Sequence, residues 1–269
     1  MNRHVIESKL QLIQKRPTNL VSVILPTYNR DYVIWKAISS VLNQTHLNFE
    51  LIIIDSGYDN TKKVIDQFID PRVNYIKVDE KLNPEEARNL GIKNSKGDYV
   101  CYIDSDVTYH PEFIEYMLLS LLENPKKVIA YCAKNKVIVE YDSFGRIIER
   151  IEKIDCCKPV NIKELLLLRE YIDTNVIMHK RDILTQVGGW DEKCEKFGDL
   201  EFVLRIYKAY PDGFLHVPRV MVDYVQIKGP VSDGVHANSD SSASKDYIKK
   251  KHYDLFDPVK REDINRWLK

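Results

Sequence analysis

Two aspartates separated by one residue, Asp104 and Asp106, follow an apolar run at residues 99–103. On an extended segment, side chains two residues apart point to the same face, so both carboxylates can meet one cation or one hydroxyl group. Carboxylate oxygens suit Mg²⁺ or Mn²⁺, which keep open positions for phosphate oxygens. A solvated turn is the alternative explanation. The position directly after a buried run favours the metal site.

Two further charged residues are candidates for contacts with a nucleotide. Asp55 ends a second apolar run and precedes Ser56 and Gly57. Its carboxylate can accept an N–H from the edge of uracil or guanine, or it can stabilise its own turn. Arg88 lies in a predicted helix and can contact a phosphate or a base, although an arginine on a helix is more often at the surface.

A third acidic position offers a general base. Asp199 precedes an apolar helical segment, where its carboxylate can take a proton from an acceptor hydroxyl. The alternative is a residue that only stabilises the helix N-terminus. Glu201 is the competing carboxylate. His236, in a polar segment at 229–245, is a candidate metal ligand that could close over the cation.

Alternating strands and helices must position these side chains. Short apolar runs, rich in β-branched residues, predict buried strands that alternate with amphipathic helices. The strands are predicted at residues 21–25, 51–54, 73–78 and 99–103, and the helices at 32–42, 61–69, 84–94 and 111–123. Such alternation predicts a parallel α/β sheet, which binds ligands beyond the carboxyl ends of its strands.

The second half of the chain has a less regular pattern. It predicts strands at 128–132 and 137–141, a turn at 142–145 and a hairpin partner at 146–151. A further strand is predicted at 175–179, a loop at 229–245, and helices at 161–168, 181–187, 199–209 and 261–268. A short helical arm is predicted to end before Pro17.

Composition narrows the class of protein. The 269 residues are 44% hydrophobic, and 40 basic residues balance 40 acidic ones, which is typical of a globular domain and argues against a nucleic-acid partner. The five cysteines form no CxxC pair, and no run is long enough to be a signal peptide or a membrane span. We therefore expect a cytoplasmic protein. Lys249–Lys251 and the helix predicted at 261–268 could contact an anionic membrane or a partner, although such charged segments more often form a solvated helix face.

Several motifs occur in an order that resembles glycosyltransferase family 2. The resemblance covers about residues 20–210. It rests on VSVILPTYNR at 21–30, ELIIIDSG at 50–57, ARNLG at 87–91, GDY at 97–99 with DSD at 104–106, GGWDE at 188–192 and GDLEF at 198–202. No dinucleotide-binding glycine motif, P-loop or hydrolase nucleophile elbow is present in the sequence.

The resemblance implies a GT-A fold, with a mostly parallel central sheet flanked by helices and a smaller mixed sheet on the acceptor side. It implies an arm at 1–18, a catalytic domain at 19–228 and a C-terminal tail at 229–269. The nucleotide-binding half of the domain would be 19–125 and the acceptor half 126–228. The implied reaction is an inverting transfer from a nucleotide-diphosphate sugar, with UDP favoured, to a glycan, glycolipid or protein-linked acceptor.

The resemblance also assigns residues. Asp199 would be the catalytic base, and Asp106, with His236, would bind Mn²⁺ or Mg²⁺. The residues expected to contact the nucleotide sugar are Pro26, Thr27, Tyr28, Arg30, Asp55, Arg88, Asp104 and Ser105. Ser56 stands where the family often has a second aspartate, and Gly198 stands where it usually has a glutamate. Glu201 therefore stays an alternative base.

Two rival functions remain. A sugar nucleotidyltransferase needs a glycine-rich loop with an arginine after the first strand, and residues 26–29 do not form one. A non-catalytic module that binds a nucleotide sugar or a glycan would bind donors without turning them over.

Overall fold

The computed structural model describes residues 17–144, 146–155, 172–194, 196–228 and 242–255. The predicted arm, the helix at 161–168, His236 and the helix at 261–268 lie outside these ranges. The described residues form one sheet, its flanking helices and the segments that connect them.

Four parallel strands form the first half of the sheet, in the order β3-β2-β1-β4. They are β1 (Val21–Thr27), β2 (Phe49–Asp55), β3 (Val73–Lys77) and β4 (Tyr99–Tyr102). Side chains in β1, β2 and β4 are almost all buried, as expected when helices cover both faces of a parallel sheet. This confirms the predicted fold class.

The sequence predicted that the first strand ends before Pro26, but the structure shows that it does not. It continues to Thr27, with Pro26 opposite Ile54 and Thr27 opposite Asp55 in β2. Proline is tolerated there because pairing with β4 has already ended at Ile24, so no ladder hydrogen bond on that side needs the missing N–H.

The flanking helices of this half are α1 (Ile34–Leu42), α2 (Thr61–Ile65), α3 (Pro84–Asn94) and α4 (Phe113–Glu123). Helix α2 ends four residues before its predicted end at residue 69. Helix α3 begins with a capping box, in which the Asn83 side chain accepts from Glu86 N at 2.8 Å and the Glu86 carboxylate accepts from Asn83 N at 2.7 Å. The start of α3 is therefore firmly fixed.

The remaining strands extend the same sheet rather than forming the separate, smaller sheet that was predicted. The sheet has nine strands in the described part of the chain and continues β4-β8-β6-β9-β5 with β7 on β6. The added strands are β5 (Val107–Tyr109), β6 (Ile129–Tyr141), β7 (Ile147–Asp155), β8 (Ile177–Lys180) and β9 (Phe214–Lys228). The two predicted strands at 128–132 and 137–141 are one strand, because β7 and β9 pair with the polar stretch between them. Strands β5 and β9 were not predicted.

Short helices complete the fold: α5 (Leu184–Val187), α6 (Gly198–Ala209) and α7 (Ser242–Lys251), with 3-10 turns at Thr174–Val176, Arg181–Ile183 and Tyr253–Leu255. The predicted strand at 175–179 thus begins as a 3-10 turn, and the predicted helix at 181–187 is half 3-10. The loop predicted to reach residue 245 is already helical from Ser242.

No helix among the described residues is both long and apolar enough to cross a bilayer. Three cysteines lie in the described ranges, Cys101, Cys132 and Cys194, and all three are buried free thiols. Cys156 and Cys157 lie outside those ranges.

Gly97 links β1 to the start of β4 and has no room for a side chain. A Cβ there would lie 2.7 Å from Leu20 O, Ser22 N and Ser22 Oγ. We predict that Gly97→Ala lowers the free energy of unfolding by about 1–3 kcal/mol, because the backbone must shift. Lys96→Ala, an exposed neighbour, should change it by less than about 0.5 kcal/mol. Thermal unfolding of both variants tests this, and equal stabilities would contradict it.

Candidate active site

A cavity of about 960 Å³ opens at the carboxyl ends of β1 and β4. Its wall includes side chains from the parallel half of the sheet and from β6 and β9. The predicted site residues in its lining are Pro26, Thr27, Tyr28, Arg30, Arg88, Asp104, Ser105 and Asp106. The sheet thus brings together motifs that are up to 80 residues apart in sequence.

The loops after β1 and β2 are locked together at one end of the cavity. Asn29 adopts a left-handed backbone conformation with φ of 53°, and its Oδ1 accepts from Tyr58 N at 2.7 Å. A Cβ on Gly57 would lie 2.5 Å from Asn29 N, so this approach requires glycine. The Tyr28 and Tyr58 rings meet edge to face at 6.3 Å. The result is a rigid, partly aromatic rim.

Asp55 lies behind this rim and does not line the cavity. Its Oδ1 accepts from Gly57 N at 2.8 Å and its Oδ2 accepts from the Tyr75 hydroxyl at 2.8 Å. The side chain is 2% exposed. In this arrangement the carboxylate stabilises its own turn, which is the alternative that the sequence left open. Ser56, its neighbour, is the residue that reaches the cavity.

Arg88 and Asp104 form an ion pair in the cavity wall. Arg88 Nη2 donates to Asp104 Oδ1 at 2.8 Å, and the guanidinium lies 4.9 Å from the Trp190 ring. Asn175 supports the same carboxylate: its Oδ1 accepts from Asp104 N at 2.7 Å and its Nδ2 donates to Asp104 Oδ2 at 2.9 Å. The Arg88 side chain is therefore held in one orientation, and only 6% of the residue's surface is exposed.

A second ion pair continues this network towards β6. Lys134 Nζ donates to Asp173 Oδ2 at 2.8 Å, while Asp173 Oδ1 accepts from Asn175 N at 2.8 Å. Although burial raises the pKa of Asp173, the Lys134 ammonium holds it below its usual value. Asp173 is therefore charged at neutral pH.

Asp106 is the residue of the DSD pair that the family resemblance assigns to the metal. It lines the cavity and is half-buried, and the neighbouring Asp104 carboxylate accepts from Arg88 and Asn175. The described residues contain no cluster of three or more His, Cys, Asp or Glu side chains that could cage a metal. A divalent cation bound through one carboxylate, with phosphate oxygens and water completing its shell, still fits this oxygen-lined wall.

Asp199 is one of two acidic residues in the first turn of α6, and its environment suits a proton acceptor. The half-buried carboxylate accepts from Leu200 N at 2.8 Å. Burial and the nearby negative charge of Asp173 raise its pKa to about 7, against the opposing effects of Arg88 and Lys134. Three cavity-lining charges thus act on Asp199, although Asp199 itself is not part of the lining.

Glu201 has a different environment from Asp199. Its side chain is fully buried and accepts from Arg205 Nη2 at 2.7 Å and from the His252 ring at 3.1 Å, with Lys251 Nζ 2.7 Å away. Although burial raises its pKa, these bonds lower it to about 2. A carboxylate held by three cationic or hydrogen-bonding groups fastens α7 to α6. It is a poor proton acceptor.

Sequence reasoning missed Lys134, Asp173, Asn175 and Tyr224, all of which line the cavity. None of these four residues follows a parallel strand, which is the position at which a sequence indicates a ligand site in such a sheet. Strand β8 runs antiparallel to β4, so the residues just before β8 lie beside the end of β4. The polar run Asp173-Thr174-Asn175 ahead of an apolar strand was the available signal.

The comparisons with known proteins agree with this geometry. The model of the family described as glycosyl transferase family 2 matches residues 22–183, more than half of the chain. An uncharacterized glycosyltransferase of Haemophilus influenzae is 24% identical over 91% of this chain and 81% of its own length. An Escherichia coli UDP-Glc:alpha-D-GlcNAc-diphosphoundecaprenol beta-1,3-glucosyltransferase is 34% identical over 39% of this chain and 42% of its own length.

Two solved structures share the fold. Staphylococcal (S. aureus) TarS 1-349 in complex with UDP-GlcNAc superposes with a TM-score of 0.61 at 16% identity, over 86% of this chain and 66% of that one. The mannosyltransferase PcManGT of Pyrobaculum calidifontis, in complex with GDP-Man and Mn²⁺, gives 0.60 at 16% identity, over 98% and 76%.

Several relatives are much longer than this chain. The match covers 17% of a Rickettsia felis glycosyltransferase, at 44% identity over 108 residues. It covers 43% of the longer TarS chain. The family match across residues 22–183, with its motifs gathered around one cavity, leads to one conclusion: this chain belongs to glycosyl transferase family 2.

Proposed function

We propose that this chain transfers a sugar from a nucleotide-diphosphate sugar to an acceptor hydroxyl, with inversion at the anomeric carbon and assistance from Mn²⁺ or Mg²⁺. The observation that carries the proposal is the environment of Asp199. Its carboxyl group has a pKa of about 7 beside the charged groups that line the cavity. A general base works best with a pKa near the operating pH.

The proposed chemistry is a single displacement. The acceptor oxygen attacks the anomeric carbon while its proton passes to the Asp199 carboxylate. The bond between that carbon and the diphosphate oxygen breaks, and the nucleoside diphosphate leaves with the electron pair. Because attack and departure occur on opposite faces, one base and one group that stabilises the diphosphate are enough.

Asp106 would hold the divalent cation, which would neutralise charge on the departing diphosphate. His236 remains a predicted second ligand outside the described residues. Arg30 and Lys81 add positive charge to the same cavity, with Lys81 Nζ 4.8 Å from the Tyr28 ring centre. This cationic, partly aromatic end supports the proposal that the nucleotide binds here.

The donor is proposed to be a UDP-sugar. This is supported by the UDP-Glc donor in the name of the Escherichia coli relative and by the UDP-GlcNAc in the TarS complex, while the PcManGT complex holds GDP-Man. The acceptor would lie against the wall from β6 and β9, where Lys136, Tyr224 and Gln226 line the cavity. A glycan, glycolipid or protein-linked acceptor, cytoplasmic location and peripheral membrane contact stay predictions.

The first test concerns the base. We expect Asp199→Asn to lower kcat for transfer by about 10²-fold or more, because the amide cannot accept the proton. Nucleotide binding, measured by calorimetry with Mn²⁺, should stay within about three-fold. Glu201→Gln should lower the thermal unfolding temperature, because Glu201 joins α6 to α7. It should lower kcat less than Asp199→Asn does. Activity that survives Asp199→Asn but disappears in Glu201→Gln would reverse the assignment.

The pH profile gives a second test. With a pKa of about 7, Asp199 is mostly protonated below neutrality, so kcat/KM should rise with pH up to about 7 and level off above it. The same shift affects stability. Between pH 3.8 and about 7 the Asp199 carboxyl group is protonated in the folded state and ionised in the unfolded state, so its contribution to the free energy of unfolding falls as the pH rises towards 7. A flat profile between pH 5 and 8 would argue against this base.

The third test concerns the metal ligand. Asp106→Ala should remove the Mn²⁺-dependent increase in nucleotide binding and lower donor hydrolysis and transfer by about 10²-fold or more. Asp98→Ala, an exposed acidic residue at the other end of β4, is the matched control and should retain both. Near-normal turnover of Asp106→Ala with Mn²⁺ would exclude this role. Binding without turnover by the unaltered chain, for any donor, would favour the non-catalytic module instead.

A further inference from the structure

Glu85 is a buried carboxylate that the proposed chemistry does not use. It lies in the first turn of α3 and is 4% exposed. Its Oε1 is 3.4 Å from Arg88 Nη1, and its Oε2 is buried without a hydrogen-bond partner among the described residues. Burial raises the pKa of this carboxyl group even though Arg88 is close. Such a group costs stability where it stands.

The Glu85 side chain occupies the space that a side chain at position 198 would need. A Cβ built on Gly198 would lie 2.2 Å from Glu85 Oε1, 2.9 Å from its Cδ and 3.0 Å from its Cγ. Atoms cannot approach so closely, so Gly198 and Glu85 form a complementary pair. Gly198 is the first residue of α6, directly before Asp199. A carboxylate reaches the start of α6 from α3 rather than from α6 itself.

Glu85 also lies on the second side of the Arg88 guanidinium. Asp104 holds Nη2 at 2.8 Å, Glu85 approaches Nη1, and the Trp190 ring lies 4.9 Å away. Arg88 is one of the charges that act on Asp199. Glu85 therefore contacts both the Arg88 guanidinium and the start of α6.

We propose that Glu85 is a positioning residue for sugar transfer, which holds Arg88 and the start of α6 so that Asp199 is aligned. The inference rests on the proposed function. A side chain that only filled space beside Gly198 would be better as an apolar group, because an apolar residue avoids the cost of a buried, half-satisfied charge. The carboxylate is retained for its charge and its reach.

The test compares the charge and the position of this carboxylate. Glu85→Gln keeps the shape and removes the charge, and we expect kcat to fall about ten-fold with KM for the donor within about three-fold. Glu85→Asp should lose less than Glu85→Gln. The pH midpoint of kcat/KM in Glu85→Gln should move to lower pH, because Arg88 then opposes protonation of Asp199 more strongly. Glu80→Gln, at an exposed glutamate ahead of α3 and outside the cavity lining, should stay within about two-fold.

The exchange of the two side chains tests the shared space. Gly198→Glu alone should lower kcat by about 10²-fold or more, because a Cβ at this position displaces the buried Glu85 carboxylate from the start of α6. The double variant Glu85→Gly, Gly198→Glu keeps the same side chains in exchanged positions, and we expect it to be at least about ten-fold more active than Gly198→Glu.

The outcomes separate the two proposals. Suppose that the unaltered chain transfers sugar. If the kcat of Glu85→Gln then equals that of the unaltered chain, or is not lower than that of Glu85→Asp, the positioning role is wrong and the proposed function stands. If the unaltered chain transfers sugar from no donor, the proposed function is wrong, and the positioning role with it. The double variant Glu85→Gly, Gly198→Glu must first be shown to fold by thermal unfolding. If it folds and is no more active than Gly198→Glu, the inference that the two positions share one space for a carboxylate is wrong.

Discussion

The ion pair between the buried Arg88 guanidinium and the half-buried Asp104 carboxylate is the interaction on which the site depends. Removing a guanidinium from water costs several kcal/mol, which its partners must offset. Here Asn175 bonds both the backbone and the side chain of Asp104, and the Trp190 ring lies 4.9 Å from the Arg88 guanidinium, whose Nε has no hydrogen-bond partner among the described residues. The partners come from α3, the end of β4, the turn before β8 and the loop at Trp190, so this arrangement requires α3, β4 and β8 to be in place.

Helix α3 packs against β1 and β2 on one side and against the GGWDE motif on the other. Gly91 allows it to lie against β1, where an added Cβ would meet Ile24 Cγ2 at 2.4 Å. On its other side, Asn89 accepts from Trp190 N at 2.7 Å and donates to Trp190 O at 2.9 Å. The ARNLG and GGWDE motifs are therefore two faces of one contact, which explains why both accompany Arg88. A motif that looks like a ligand signature is here partly a packing requirement.

The sequence predicted the parallel half of the fold well and the mixed half poorly, for a physical reason. Strands β1, β2 and β4 are buried on both faces, so each is a continuous apolar run that periodicity detects. Strand β6 carries Lys134 and Lys136 where it borders the cavity, and this polar stretch divided it into two predicted strands. Strand β9 contains a register irregularity between Val217 and Val220, around Pro218, which hides its length.

The same distinction applies to the site. Residues after parallel strands, such as Asp104, could be placed from the sequence because topology fixes that edge of the sheet. The hydrogen bonds of Asp55 to Gly57 and Tyr75 could not be placed, because a turn residue and a base-binding residue look alike in the sequence, and its predicted nucleotide contact stays a prediction. Asp173 and Asn175 could not be placed either, because their proximity to Asp104 requires the antiparallel pairing of β8 with β4.

Asp199 and Glu201 show how two acids on one helix turn acquire opposite properties. Asp199 has one backbone hydrogen bond and a negative neighbour, so its environment favours the protonated form near pH 7. Glu201 is surrounded by Arg205, Lys251 and His252, so its environment favours the charged form down to about pH 2. Environments that separate the pKa values of two adjacent acids are what acid–base chemistry needs. Helix α7 and the residue after it bind Glu201 through Lys251 and His252, so of these two acids only Asp199 has a pKa near neutrality.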